Sequence, residues 1–191
     1  MKKLLLLISL SISTSAMAAG NDCTYQIDSE NVDIKWEAFK TPAKVGVGGQ
    51  FKKVSINSKK KGKSISDIVN SAKIVIDASS VSTKNKGRDL KIAKFFFSTM
   101  EGGSKIDVRT VETTRDKILI SVTMNGQTRD VPLRYKELKE NFEAEGVIDV
   151  LDFAMSDELA AITKACEQKH EGKTWSDVNI KISAKFKKMC N

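Results

Sequence analysis

KILISVTMNGQTRDVPLRY, residues 117–135, reads as two runs of alternating character around a turn dipeptide. Ile118, Ile120, Val122 and Met124 stand at every second position, Asn125-Gly126 follows, and Val131, Leu133 and Tyr135 resume the alternation. Successive side chains of a strand point to opposite faces, so this period gives one apolar face and one that can meet water. Asn-Gly readily takes the positive-φ geometry of a type I′ turn, whose twist matches the strands it joins. The stretch is predicted to be a β-hairpin with one face that something must cover.

The same period extends from the hairpin in both directions. Upstream, Ile106 and Val108 open a strand that arrives through a polar turn near Arg115-Asp116, and Ala72, Ile74 and Ile76 form another inward set. Earlier still, Tyr25 and Ile27, then Ile34, Trp36 and Ala38, alternate with polar residues, and Val45, Val47, Gly49 and Phe51 continue after Pro42. Glycines at that point permit a bend or a close approach. Downstream, Phe142, Ala144, Gly146, Ile148 and Val150 alternate with charged residues, and Val178, Ile180, Ile182, Ala184 and Phe186 form the cleanest strand of all.

Helical signals are fewer. A helical turn is expected near residues 66–70 and a short helix over 87–93, after which Phe95-Phe96-Phe97 cannot all lie on one face of a regular strand. One longer helix is predicted over about 157–169, with Ser156 as its cap, Asp157 and Glu158 in its first turn, Lys169 in its last and Gly172 as its stop. Leu159, Ile162 and Cys166 then share a stripe.

About eight one-sided strands and one good helix leave an apolar sheet face with little to cover it. The simplest solution is a sheet that curls onto itself, which also removes its edges. The expected fold is all-β, an eight-stranded antiparallel barrel with one added helix. Such a barrel is either filled by its own side chains or roomy enough for one small ligand. Many inward positions are modest in size, namely Ala38, Val45, Val47, Gly49, Ala72, Ala144, Gly146 and Ala184, so room for a guest is expected.

Residues 1–18 have the form of a secretory signal peptide: Lys2 and Lys3, an apolar run over 4–10, and Ala16-Met17-Ala18 as the cleavage site. The run is short of the roughly 20 apolar residues a spanning helix needs, so a soluble periplasmic protein starting at Ala19 is expected, without stable membrane insertion. Residues 19–191 are one domain's worth of chain. The formal charge of +8 becomes +6 once Lys2 and Lys3 leave, a mild and scattered excess. Its densest cluster, Lys59-Lys60-Lys61-Gly62-Lys63, lacks interleaved aromatics and reads as a solvated loop, so no nucleic-acid partner is expected. Three cysteines in an exported chain allow one disulfide, with Cys23–Cys190 and Cys166–Cys190 as rival pairings.

Signals for catalysis are weak. Cys166 lies four residues before His170, the sole histidine, so a Cys/His pair or a two-ligand metal site can be drawn there. The simpler reading is a histidine that favours the C-terminal dipole and a cysteine that packs or bridges. Glu145, Asp149 and Asp152 alternate outward, and phosphate-binding glycine motifs are absent. No catalytic residue, metal or cofactor is assigned.

Several segments in order resemble the YceI-like family of exported bacterial proteins, the polyisoprenoid-binding, lipocalin-like group. They are Tyr25-Gln26-Ile27-Asp28, Gly49-Gln50-Phe51, residues 76–83 (IDASSVST), Arg88-Asp89, Phe95-Phe96, residues 122–126 (VTMNG) and Asp152-Phe153. The resemblance implies a lipocalin-like barrel without enzymatic activity, whose lumen holds an isoprenoid or another amphiphilic chain for transport or storage, and it admits a homodimer. Together with the alternation it assigns Ile34, Trp36, Phe51, Ile76, Phe96, Ile120, Val122, Met124, Ile148, Phe153, Ile180 and Ile182 to the lumen. A ligand-free barrel acting as a stress-response or protein-interaction module is the alternative. Asn31 stands where many members carry His and Val150 where many carry Arg, so headgroup contacts from those positions are not expected in this chain.

Overall fold

A computed structural model describes residues 22–190, apart from the side chains of Ser29 and Glu30; the expected signal peptide lies outside the described residues. The hairpin forms as its sequence requires. Strands β8 (Lys117–Met124) and β9 (Gln127–Leu138) meet at Asn125 and Gly126, whose φ angles of 50° and 67° are those of a type I′ turn. Ile118, Ile120, Val122, Met124, Val131 and Leu133 are all buried on one face.

Around this hairpin the chain lays down β1 (Cys23–Lys40), β2 (Val45–Phe51), β3 (Val54–Asn57), β4 (Lys61–Gly62), β5 (Lys73–Asp77), β6 (Val81–Ser82) and β7 (Lys105–Thr113) before it, then β10 (Asn141–Asp149) and β11 (Thr174–Cys190) after it. The sheet runs β3-β5-β7-β8-β9-β10-β11-β1-β2-β6, with β4 paired to β1, and every pairing is antiparallel. β2 and β3 are separated by only two residues, yet β2 pairs with β1 and β3 with β5, so one kinked strand joins the two ends of the curled sheet. Lys52 N–H donates to Ser80 O and Asp77 N–H to Lys53 O across that kink.

The barrel is therefore the expected one, although the strand count among the described residues is eleven rather than eight. β3 follows the kink in the stretch after Phe51, where no strand is predicted, and the two-residue pairings β4 and β6 have no apolar alternation to announce them. A second irregularity lies within β1, where the register with β11 shifts between Asp28 and Val32. That bulge changes the parity of the strand. Ile27 before it and Val32, Ile34 and Trp36 after it can all pack inward.

Helical segments sit at the ends of the barrel. α1 (Ile65–Val69), capped reciprocally by Ser64 and Asp67, buries Ile65 and Ile68. α2 (Lys86–Ile92) is capped by Asn85 and runs directly into a π-helical turn over Ala93–Phe97, which turns Phe97 inward. The predicted helix over 157–169 is in fact two, α3 (Ser156–Ala165) and α4 (Glu167–His170), broken at Cys166 with φ −123° and ψ 17°. Ser156 is not its cap: the capping position falls on Met155, which makes no side-chain cap, and Ser156 is already helical. The stop does come where expected, at Glu171 and Gly172 with positive φ. Cys23 and Cys190 are paired across β1 and β11 in a disulfide, which rules out the rival Cys166–Cys190 bridge, and Cys166 is free.

Candidate functional site: a one-ended cavity

One half of the barrel is packed and the other is hollow. At the α1 end, Leu133, Phe142, Ala144, Ala184 and Phe186 are all buried and enclose only about 60 Å3 of space. The other half holds a cavity of about 500 Å3, within the roughly 300–1,000 Å3 of small-molecule sites. Ile74, Val108, Ile120 and Ile182 line both spaces and so form the floor between them. The far end is reached between α2, the π turn and α3–α4, which contribute Arg88, Lys91, Phe96, Leu159, Ile162, Lys169 and His170 to the wall.

β11 records this asymmetry along one strand. Its inward residues Ala184 and Phe186 are buried, whereas Ile182, Ile180 and Val178 keep part of their surface accessible because they face the hollow half. Trp36 lines the lumen beside Phe51, with ring centroids 6.4 Å apart. Its indole lies where a side chain at Gly49 would be, since a Cβ there would come within 2.3 Å of the ring. Trp36 Nε1 is buried and has no hydrogen-bond acceptor among the described residues, so an oxygen of a guest can take it.

The mouth is polar and basic. Lys40 Nζ donates to Lys169 O at 3.2 Å and Lys91 Nζ to Ala165 O at 2.9 Å, so each lysine satisfies a carbonyl at the C-terminal end of α4 or α3. Arg88 is held more firmly: Nε donates to Thr83 Oγ1 and Nη2 to Thr83 O, while Asp89 accepts from Thr83 N–H. Burial lowers the pKa of His170 below its usual 6.5, and the charges of Lys40 and Lys91 lower it further. Thr163 Oγ1 lies 2.6 Å from Leu159 O and 2.8 Å from Thr174 Oγ1, which lies 2.7 Å from His170 Nδ1. With one proton per hydroxyl, all three contacts are met only if Nδ1 donates to Thr174, Thr174 to Thr163 and Thr163 to Leu159 O. Nε2 is then the atom of His170 that titrates.

Of the residues assigned to the lumen from sequence, Ile34, Trp36, Phe51, Ile76, Phe96, Ile120, Val122, Met124, Ile148, Ile180 and Ile182 line the large cavity. Phe153 does not. β10 ends at Asp149, and a 3-10 turn over Val150–Phe153 follows, so the strand period cannot be carried on to it; Phe153 is instead buried in the core. The small inward residues are also not the source of the space. Val45 is exposed, the place beside Gly49 is filled by Trp36 and that beside Gly146 by Leu133, and Ala72, Ala144 and Ala184 lie at the packed end. Ala38 and Val47 do border the large cavity.

Cys166 and His170 both reach the cavity wall, but His170 is engaged by Thr174. Among the described residues no group of three His, Cys, Asp or Glu side chains could hold a metal ion. Sequence reasoning missed Lys40, Lys91 and Lys169 as parts of the site. They stand at the ends of β1, α2 and α4, where no periodic pattern marks them.

The sequence matches the YceI-like domain over residues 25–186. Among solved structures, a polyisoprenoid binding domain from Saccharophagus degradans superposes with a TM-score of 0.57 at 12% identity, covering 90% of this chain and 100% of its own. Burkholderia cenocepacia BcnA superposes with a TM-score of 0.58 at 17% identity, covering 84% of this chain and 99% of its own. At these identities the likeness is one of fold. No curated protein matches the sequence.

Proposed function

The chain belongs to the YceI-like domain family, and we propose that it binds one long apolar or amphiphilic molecule, of isoprenoid or fatty-acyl type, in the lumen of its barrel, as a periplasmic carrier or store rather than as an enzyme. The observation that carries this reading is the hollow half of the barrel, where Val178, Ile180 and Ile182 are only half-buried beside the buried Ala184 and Phe186 of the same strand. A hydrocarbon tail would cover them. The ligand class named for the Saccharophagus degradans domain is consistent with such a guest.

Burial of about ten methylenes would contribute on the order of 8 kcal/mol at ~0.8 per group, before ordering costs, which corresponds to binding no tighter than about micromolar. Export is supported by the signal-like residues 1–18 and by the Cys23–Cys190 disulfide, since such bonds persist in oxidising compartments. The ligand-free alternative would have the lumen serve no guest. Protein exported by its own leader should yield a long-chain lipid on solvent extraction and mass spectrometry. Replacing Val178 with Trp, which fills the lumen from its wall, should weaken uptake of a fluorescent acyl probe about tenfold or more. Recovery of no guest, together with no probe binding at ~100 µM, would remove the carrier reading.

A further inference from the structure

The depth of the cavity is apolar, its floor is closed, and its mouth carries a surplus of positive charge contributed by separate elements. Lys40 comes from the end of β1, Lys91 from α2, and Lys169 and His170 from α4, and all four border the cavity. Among the described residues, no carboxylate lies within ion-pair distance of Lys40, Lys91 or Lys169, whereas nearby Lys44 is paired with Asp177 at 2.8 Å. The acceptors that Lys40 and Lys91 do use are neutral carbonyls. An ammonium has three donors, so both retain unused N–H groups. The depressed pKa of His170 has burial as its first cause and these two lysines as the rest, which is how an uncompensated positive field acts on a neighbouring base.

The rest of the lumen cannot hold a charge. Trp36 Nε1 is a lone neutral donor among apolar walls, and one such contact does not offset the desolvation of an anion. The packed end admits nothing of that size. We propose that the lumen is selective for amphiphiles with an anionic headgroup, a carboxylate or a phosphate, held at the mouth by Lys40, Lys91 and Lys169 beside His170 while the tail points to the floor formed by Ile74, Val108, Ile120 and Ile182. This rests on the lumen reading above and adds to it the charge and the orientation of the guest.

The test compares ligands of equal chain length in competition against a fluorescent acyl probe on the mature chain. Myristic acid is set against tetradecanol, and farnesyl phosphate against farnesol. Each acid should bind at least about tenfold more tightly than its alcohol in low salt, and that ratio should shrink as salt is raised. If only one pair shows it, the responding acid identifies whether the head is a carboxylate or a phosphate. The double substitution Lys40→Met with Lys91→Met should bring the ratio to within about threefold, while Lys60→Met in the exposed loop should leave it as in the unsubstituted protein. Because those two lysines also satisfy helix carbonyls, the salt dependence of the unsubstituted protein serves as the independent measure. Equal binding of acid and alcohol at all salt concentrations would overturn the headgroup assignment and leave the lumen reading standing. Binding of neither would remove both.

Discussion

At the scale of single residues, the cavity is set by which side chains cross to fill a neighbour's place. Gly49 and Gly146 suggest empty space in a one-dimensional reading, yet the ring of Trp36 and the side chain of Leu133 occupy those places. The room lies instead among full-sized residues such as Ile34, Ile180 and Ile182, which border it. His170 carries the residue-scale prediction. The groups facing it are Lys40 from β1, Lys91 from α2 and Thr174 from β11, and its folded pKa lies below the 6.5 of an unperturbed imidazole. Between the two values the unfolded chain binds more protons. Stability should therefore be insensitive to this group above about pH 6.5 and should fall as pH drops through the folded pKa. Urea midpoints measured at pH 7.5 and 5 should decline less in His170→Asn than in the unsubstituted protein; equal declines would refute it.

At the scale of elements, the hairpin and its turn were legible because alternation and Asn-Gly act locally. What the turn is attached to was not. Asn125 Oδ1 accepts from Glu101 N–H at 2.7 Å, and its Nδ2 donates to Phe153 O at 2.9 Å and Ala154 O at 3.2 Å, so the tip of β8–β9 is tied to the loop after the π turn and to the 3-10 turn after β10. Asn125→Ala would leave these buried groups unpaired and place a less suitable residue at positive φ, and should cost about 2–4 kcal/mol by urea denaturation. A loss below ~1 kcal/mol would mean that the ties are dispensable. The division of the predicted helix at Cys166 belongs to the same scale. Nothing in Cys166-Glu167-Gln168-Lys169 opposes a helix, but the carbonyls of Ala165 and Lys169 are taken by Lys91 and Lys40, which come from other elements.

For the whole molecule, β1 and β11 are the first and last strands among the described residues, and their pairing is continuous from the disulfide to the mouth except at two register shifts. Closing a loop 167 residues apart removes denatured-state entropy, worth roughly 5 kcal/mol in the chain-entropy limit and typically 2–4 in practice. For a domain of this size that corresponds to a fall in Tm of roughly 5–15 °C on reduction, or in the Cys23→Ser, Cys190→Ser double variant. Scanning calorimetry with and without reductant would measure it. A Tm unchanged by reduction would show that the sheet closes without the bond.

The amino-acid sequence by itself determined that the chain is a one-sided sheet that must curl, where its hairpin turns, and which faces of its strands look inward. Those properties follow from backbone geometry and from the period of side chains along one strand, and neither needs knowledge of a distant neighbour. Tertiary structure decided the kinked β2–β3 strand that joins the sheet's ends, the pairing of Cys23 with Cys190, the hollow and packed halves of the lumen, and the meeting of Lys40, Lys91 and Lys169 at its mouth. Each of these depends on volumes and charges summed over residues far apart in the chain, and a local period carries no information about such sums.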